Sequence, residues 1–388
     1  MALTGSNRRI VLFHNMVAPY RHALFAALAQ RIDLTVLYST RATKDRHWNT
    51  QIPDTYRAKV LQSVVVYWHG RPMIVCRDLY RQLDFEQPSA VISVLTRSNI
   101  VDVLKLSSYA RRRRIALLLW IGDVERAAYR DDVPAMLDGF WEWYFKRAIR
   151  AASGFLYYSS LSRKWAERRG AQGPCMVGTQ VLSPPTSAPR IRIGAERSGT
   201  PVRLLFVGKM EERKGLDILI GALQRLAGLN GSAVDLVCAG DGPMLPLLLG
   251  SAPEHVRFQW LGHVDREQLW EEYREADCLV LPTRHDPWGF VTNESMSAGT
   301  PVLATKQAGS CELASRAGWA ADCRDPDGFA ATLARALAEC RDERRRDRAA
   351  AAEAEYRPDP CAERIADLVE EALRVQAELR PSIPPTVA

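Results

Sequence analysis

The chain has 388 residues, 47% apolar, 25% charged and 8% aromatic, a balance that excludes disordered, collagenous and coiled-coil classes. Its length exceeds what one hydrophobic core organises, so two domains are expected. With 52 Lys and Arg against 45 Asp and Glu, the net charge of +7 favours anionic partners, and nucleotide, phospholipid and nucleic acid all fit at this level. The longest apolar runs, such as residues 115–121, fall far short of the roughly 20 residues that span a bilayer. The short apolar stretch after Arg8-Arg9 is no signal-peptide core, so a cytoplasmic chain is expected. Eight cysteines are scattered without a Cys-x-x-Cys pair, which predicts reduced core thiols rather than a zinc site or a disulfide framework.

From residue 10 onward, short apolar runs alternate with helical stretches: a strand over 10–13, a helix over 21–30, a strand over 34–38. Strands over 90–94, 115–120 and 155–158 follow, the last preceded by an aromatic and basic helix over 140–150. Such alternation indicates a parallel sheet covered on both faces, a doubly wound α/β domain. Between about residues 170 and 201 the pattern breaks into Gly, Pro, Ser and Thr, which marks a linker. The alternation then resumes, with strands over 204–207, 234–239, 256–260, 278–281 and 301–304, and helices from 216, after 243, over 266–276 and from 289. The remainder is helical, over 325–340 and on to about 378, and its charge run at 341–348 reads as a solvated helix face. Two similar α/β domains in tandem suggest a ligand cleft between them.

Three stretches carry chemistry. Gly208-Lys209 through Lys214-Gly215 follows a strand and places two ammonium groups at the ligand-binding edge of a parallel sheet, where they could hold a diphosphate or simply be solvated. It is no P-loop, because Gly-x-x-x-x-Gly-Lys-Ser/Thr is absent. Gly240-Asp241-Gly242-Pro243 lets the backbone approach a flat ligand or makes a plain turn into a helix. In the third stretch Asp286 ends a loop, Gly289 opens a helix and Glu294 lies about one turn in, so both carboxylates can face one pocket. Carboxylates beside a diphosphate make sense as acceptors for sugar hydroxyls; the bland alternatives are a helix cap and a surface acid.

These stretches, with Ala298-Gly299-Thr300-Pro301-Val302, Glu312-Leu313, Gly318-Trp319 and Asp325-Pro326-Asp327 in the same order, resemble retaining glycosyltransferases of the family-four type with the GT-B fold. The likeness is close over about residues 202–337. It implies an α/β protein of two doubly wound Rossmann-like domains facing across a cleft: an acceptor-binding domain over 1–185, a linker over 186–201, a donor-binding domain over 202–355, and a helix and tail over 356–388 that could cross back to the first domain. By matching position, Lys209 and Lys214, after Gly208, would hold the diphosphate of a nucleotide diphosphate sugar, and Glu294 its ribose. Asp286, with the backbone of Gly289, Phe290 and Val291, would meet the transferred sugar and the phosphate, and Gly240, Asp241 and Gly242 would lie near the base. The likeness further implies retention of anomeric configuration and no need of a metal or other cofactor.

Four departures separate the chain from that pattern. Asp286 stands where glutamate is usual, Lys209 where arginine is common, and His14-Asn15 replaces the Gly-Gly pair after the first strand; the histidine often found after the strand at 115–120 is also missing. Asp123, with Tyr20 and Arg21, are therefore the acceptor-side candidates, Asp123 as a catalytic group. The aromatic and basic helix over 140–150 reads either as a surface for an anionic membrane at the inner face of the plasma membrane or as a buried stripe of positions 141, 144, 145 and 148. No nucleic-acid module accompanies the charge. The expected function is transfer of a hexosyl-type group to a hydroxyl of a saccharide or lipid-linked saccharide in bacterial surface-glycan biosynthesis. The competing class is a non-catalytic nucleotide- or glycan-binding protein that keeps the fold.

Overall fold

The computed structural model describes residues 8–44, 50–68, 71–122, 137–184, 199–227, 233–246, 250–251 and 253–378. Asp123 and most of the expected linker, residues 186–198, lie outside the described residues. The chain divides into two units, one of Met1–Val181 with Pro358–Ala388, the other of Leu182–Arg357.

In the first unit β1 (Arg9–His14), α1 (His22–Ala29), β2 (Asp33–Tyr38) and β3 (Arg57–Val60) are followed by a hairpin, β4 (Ser63–Trp68) and β5 (Arg71–Cys76). Then come α2 (Leu79–Glu86), β6 (Ala90–Val94), α3 (Ile100–Arg113), β7 (Ala116–Ile121), α4 (Asp138–Ile149), β8 (Gly154–Tyr157), α5 (Ser160–Glu167) and β9 (Cys175–Val177). Seven strands form one sheet in the order β3-β2-β1-β6-β7-β8-β9, every neighbouring pair parallel. β6 and β7 are buried at every position, which is why their sequences read as continuous apolar runs. β4 and β5 pair antiparallel outside this sheet, and β9 continues it past the strand at which the alternation in sequence ends. The hairpin escapes a polarity pattern because its outer face is itself apolar: Val64, Val66 and Trp68 are exposed.

The second unit contains β10 (Val202–Val207), α6 (Leu216–Leu226), β11 (Val234–Ala239), β12 (Val256–Gly262), α7 (Arg266–Glu275), β13 (Cys278–Leu281) and α8 (Val291–Ser297). β14 (Val302–Thr305), α9 (Cys311–Ser315), β15 (Trp319–Ala321), α10 (Pro326–Glu339) and α11 (Glu343–Ala354) complete it. Its parallel sheet runs β12-β11-β10-β13-β14-β15. The charge run at 341–348 differs from the solvated face expected of it. Arg341 donates to the fully buried Asp277 at 2.8 Å, and Arg346, also fully buried, reaches Ala276 O at 3.2 Å and Thr300 Oγ1 at 3.1 Å. Buried guanidinium groups require such acceptors, and sequence alone does not reveal them.

The chain returns to the first unit through α12 (Pro358–Glu378), which lies on α1 and against β7, β8 and β9. Cys361, Ala362, Ile365, Leu368, Val369 and Ala372 share a buried cluster with Ile10, Leu24, Val36 and Ile92. Ile365→Ala should therefore cost the first unit about 2–5 kcal/mol in urea unfolding, the range for truncating a buried isoleucine. A loss within experimental error would mean that α12 contributes nothing to that core.

Candidate functional site

Strand β10 lies between β11 and β13, so the loops that follow β10 and β13 leave in opposite directions and open a crevice at the carboxyl end of the sheet. The glycine turns here are first of all a packing device. Gly208 N donates to Ala239 O at 3.0 Å and Met210 N to Asp241 O at 2.8 Å, binding the loop after β10 to the loop after β11. A Cβ on Gly240, whose φ is +129°, would collide with the Gly208 carbonyl oxygen, and one on Gly242 with the Met210 backbone. The two glycines serve this loop-on-loop contact, a role beyond the approach of a flat ligand expected of them.

The two lysines are differently disposed. Lys214 Nζ is 2.7 Å from Asp286 Oδ2, both side chains largely covered, and Arg213 Nη1 lies 3.8 Å from the same oxygen. Lys209 is 68% exposed, with its Nζ 3.6 Å from Glu211 Oε2. Asp286 Oδ1 accepts from Trp288 N at 3.2 Å, and the Asp286 backbone is tied to the loop before α9 through Gln307 O and Gly309 N. Ser310 N donates to Trp288 O at 2.9 Å, and the Thr292 and Ser310 hydroxyls are 2.8 Å apart. Phe290 and Val291, after Gly289, lead directly into α8.

Glu294 sits within the first turns of α8, and its Oε2 accepts from Tyr273 Oη on α7 at 2.6 Å. Burial pushes the Glu294 carboxyl above the usual range, opposed by the Tyr273 hydrogen bond and by Arg266. The Tyr273 phenol is pushed well up by burial and by the Glu294 charge, and it stays a donor. Trp260, at the end of β12 and 44% exposed, donates its indole N–H to Gly240 O at 2.8 Å. Arg213, Tyr273 and Trp260 are the members that sequence reasoning missed. Arg213 adjoins Lys214 within the first stretch, whereas Tyr273 and Trp260 belong to no motif and reach the site only through α7 beside α8 and the pairing of β12 with β11.

On the first unit, Arg21 turns inward. It is 1% exposed, donates to Thr179 O, Tyr158 Oη and Gln180 Oε1, and lies 4.6 Å over the Trp120 ring. Its neighbour Tyr20 is 45% exposed and is the acceptor-side candidate with surface to offer. His14, ending β1, is held down to about 3 by burial and then by Arg21, so it is neutral at ordinary pH. On α4, Trp141, Tyr144, Phe145 and Ala148 form a buried stripe, while Phe140 and Trp143 stack at 5.9 Å on the exposed side. No helix among the described residues is long and apolar enough to cross a membrane, and none of their His, Cys, Asp and Glu side chains form a group of three placed to hold a metal.

Residues 201–339 match the family model described as glycosyl transferases group 1. A glycogen synthase of Mycobacterium tuberculosis is 33% identical over 186 residues, 46% of this chain and 44% of that protein. The chain thus spans less than half the length of the curated relative it matches there. Among solved structures, the lipopolysaccharide outer core galactosyltransferase WaaB aligns with a TM-score of 0.67 at 14% identity, covering 93% of this chain and 99% of that one. Anabaena HepE in complex with UDP and glucose aligns with a TM-score of 0.59 at 14% identity, covering 94% and 100%. Both share the fold of two Rossmann-like domains.

The electrostatics of Glu294 make a prediction that needs no ligand. A carboxyl whose pKa is raised in the folded state lends most stability below its unfolded pKa, and that contribution is lost as pH rises through the folded value. Glu294→Gln, which still accepts from Tyr273, should melt above the parent at pH 8, with the gap closing toward pH 4. A variant that melts below the parent at every pH would show that the charged form is stabilised overall.

Proposed function

We propose, from the premise that this chain is a GT-B protein of the glycosyl transferases group 1 family, its match lying in residues 201–339, that it transfers a sugar from a nucleotide diphosphate sugar to a hydroxyl of a saccharide or lipid-linked saccharide. The observation that carries this is the Lys214–Asp286 pair at the switch point of the second sheet, with the largely exposed Lys209 on the same loop, paired with Glu211.

In this reading Lys209 and Lys214, beside Gly208, hold the diphosphate. Negative charge grows on the departing phosphate as the glycosidic bond breaks, and an ammonium group already held in place, as Lys214 is, stabilises it with little reorganisation. Lys214 is already oriented by Asp286, so its position costs little entropy at the moment of binding. Asp286 in turn accepts from hydroxyls of the transferred sugar, with the backbone of Gly289, Phe290 and Val291 beside it. Glu294, its Oε2 occupied by Tyr273, offers Oε1 to the ribose hydroxyls. Gly240, Asp241 and Gly242 stand near the base.

Retention follows if the leaving diphosphate takes the acceptor proton on the face from which it departs. The two lysines supply the positive potential that a metal supplies elsewhere, so the reaction runs without one. The first unit receives the acceptor, with Tyr20 at its surface, Arg21 holding Tyr158 from within, and Asp123 as the proposed acceptor-side acid or base. The exposed Phe140 and Trp143, with Lys146 and Arg150 on the same side of α4, support contact with an anionic membrane surface and a place in surface-glycan assembly.

Calorimetric titration with UDP-, GDP- and ADP-sugars tests the reading, since one of them should bind and be turned over in excess EDTA. Loss of turnover with EDTA and its recovery with manganese would overturn metal independence. Glu294→Gln should weaken nucleoside diphosphate binding roughly ten- to hundredfold, the ~1.5–3 kcal/mol of a hydrogen bond to a charged group. Asp286→Asn, whose amide oxygen can still accept from Lys214, should leave nucleoside diphosphate binding near that of the parent while transfer falls. Equal weakening of nucleoside diphosphate and intact donor would place Asp286 on the nucleotide instead.

A further inference from the structure

One buried carboxylate has no part in the chemistry above. Glu353, near the end of α11, is fully buried, and no hydrogen bond of ordinary length reaches either of its oxygens. Two groups face it. Arg357 Nε is 3.5 Å away, at a half-exposed side chain, and Asn293 on α8 turns its amide toward it, its Nδ2 likewise without a full hydrogen bond. Arg357 is the one charged group that acts on it among the described residues.

Asn293 is itself committed on its other side. Its Oδ1 accepts the indole N–H of the buried Trp288 at 2.7 Å, and Trp288 N donates to Asp286 Oδ1 at 3.2 Å. The Trp288 ring also packs on Tyr356 at 5.6 Å, and Tyr356 N donates to Glu353 O at 2.7 Å. The last turn of α11 thus reaches the Asp286 loop by an amide and by a ring.

An amide has one accepting and one donating end, and which end faces the carboxyl depends on the proton. An ionised carboxylate only accepts, so it holds Nδ2 toward itself and leaves Oδ1 for the indole. A protonated carboxyl donates as well as accepts, so it no longer excludes the opposite amide orientation, which presents Nδ2 to the indole N–H, a pairing of two donors. We propose that Glu353 is a positioning residue whose ionised form fixes the Asn293 amide, and through Trp288 the Asp286 loop, and whose protonated form lets that loop go. Burial pushes Glu353 up to about 7, against the pull of Arg357, so both forms are populated near neutrality and the held form gains as pH rises. The meaning of this for catalysis rests on the donor-site reading; the coupling itself does not.

The test follows the indole N–H resonance of Trp288 in the full chain, identified by its loss in Trp288→Phe, from pH 5.5 to 8.5. In the parent it should shift with a midpoint near 7, and in Glu353→Gln, whose amide cannot titrate, it should stay still. A parent resonance that does not move, or one that moves identically in Glu353→Gln, overturns the proposal. Should that variant fail to fold, Arg357→Gln, at a half-exposed position, should move the parent midpoint to higher pH, and an unmoved midpoint counts equally against it. With UDP-, GDP- and ADP-glucose as probes, KM for whichever serves should rise below pH 7 in the parent more than in Glu353→Gln. If Trp288 titrates as described but none of the three binds, the coupling stands and the donor-site reading falls.

Discussion

A parallel sheet has to send every chain back to its starting edge, and right-handed crossovers put the helices from either side of β10 on opposite faces. The residues between strand and helix are therefore pulled apart at one place, beside β10, and all the candidate donor-site side chains of the second unit hang from that parting. Lys209 and Lys214 leave on one side of it, Asp286 and Glu294 on the other. Because the loop after β11 is bonded to the loop after β10, and the loop before α9 to the Asp286 loop, neither margin of the crevice is held by a single connection.

The charges inside it are mutually supported. Lys214 and Asp286 would each be costly to cover alone, and their contact, with Trp288 N on the second carboxylate oxygen, lets both sit largely out of water. Among the described residues no cation is in salt-bridge contact with Glu294, and Arg266 acts on it only from a distance. A phenol holds it instead, so its charge is tolerated rather than favoured.

Much of this was legible in the sequence. The strands that end in Val207, Ala239 and Leu281 are apolar runs bounded by glycine or proline, so the sequence alone puts their loops at one sheet edge. The membership of Lys214, Asp286 and Glu294 in one region followed from spaced motifs, but the contact of the first two did not, because it spans two loops far apart in the chain. β9 and β15 have three residues each, too few for a periodicity. Arg346 lies in a charge run that reads as a solvated face, and Arg21 reads as an acceptor-side candidate; both are buried because carbonyls and, for Arg21, an aromatic ring await them in the fold, and nothing local announces that. Glu353, in an alanine- and glutamate-rich helix, is indistinguishable from its solvated neighbours until α8 packs against it.

The return of α12 makes the first unit discontinuous, with the whole of the second spliced into it. During synthesis, β1 to β9 emerge without the helix that covers Leu24, Leu28 and Ile92, and at ~5–20 residues per second that helix follows on the order of ten seconds later. For that interval an apolar sheet face waits on the ribosome while the second unit, uninterrupted in sequence, is free to fold first. The early-translated half of this protein is thus the later to mature, and the chain most exposed to chaperones and to misassociation is the one nearest its beginning.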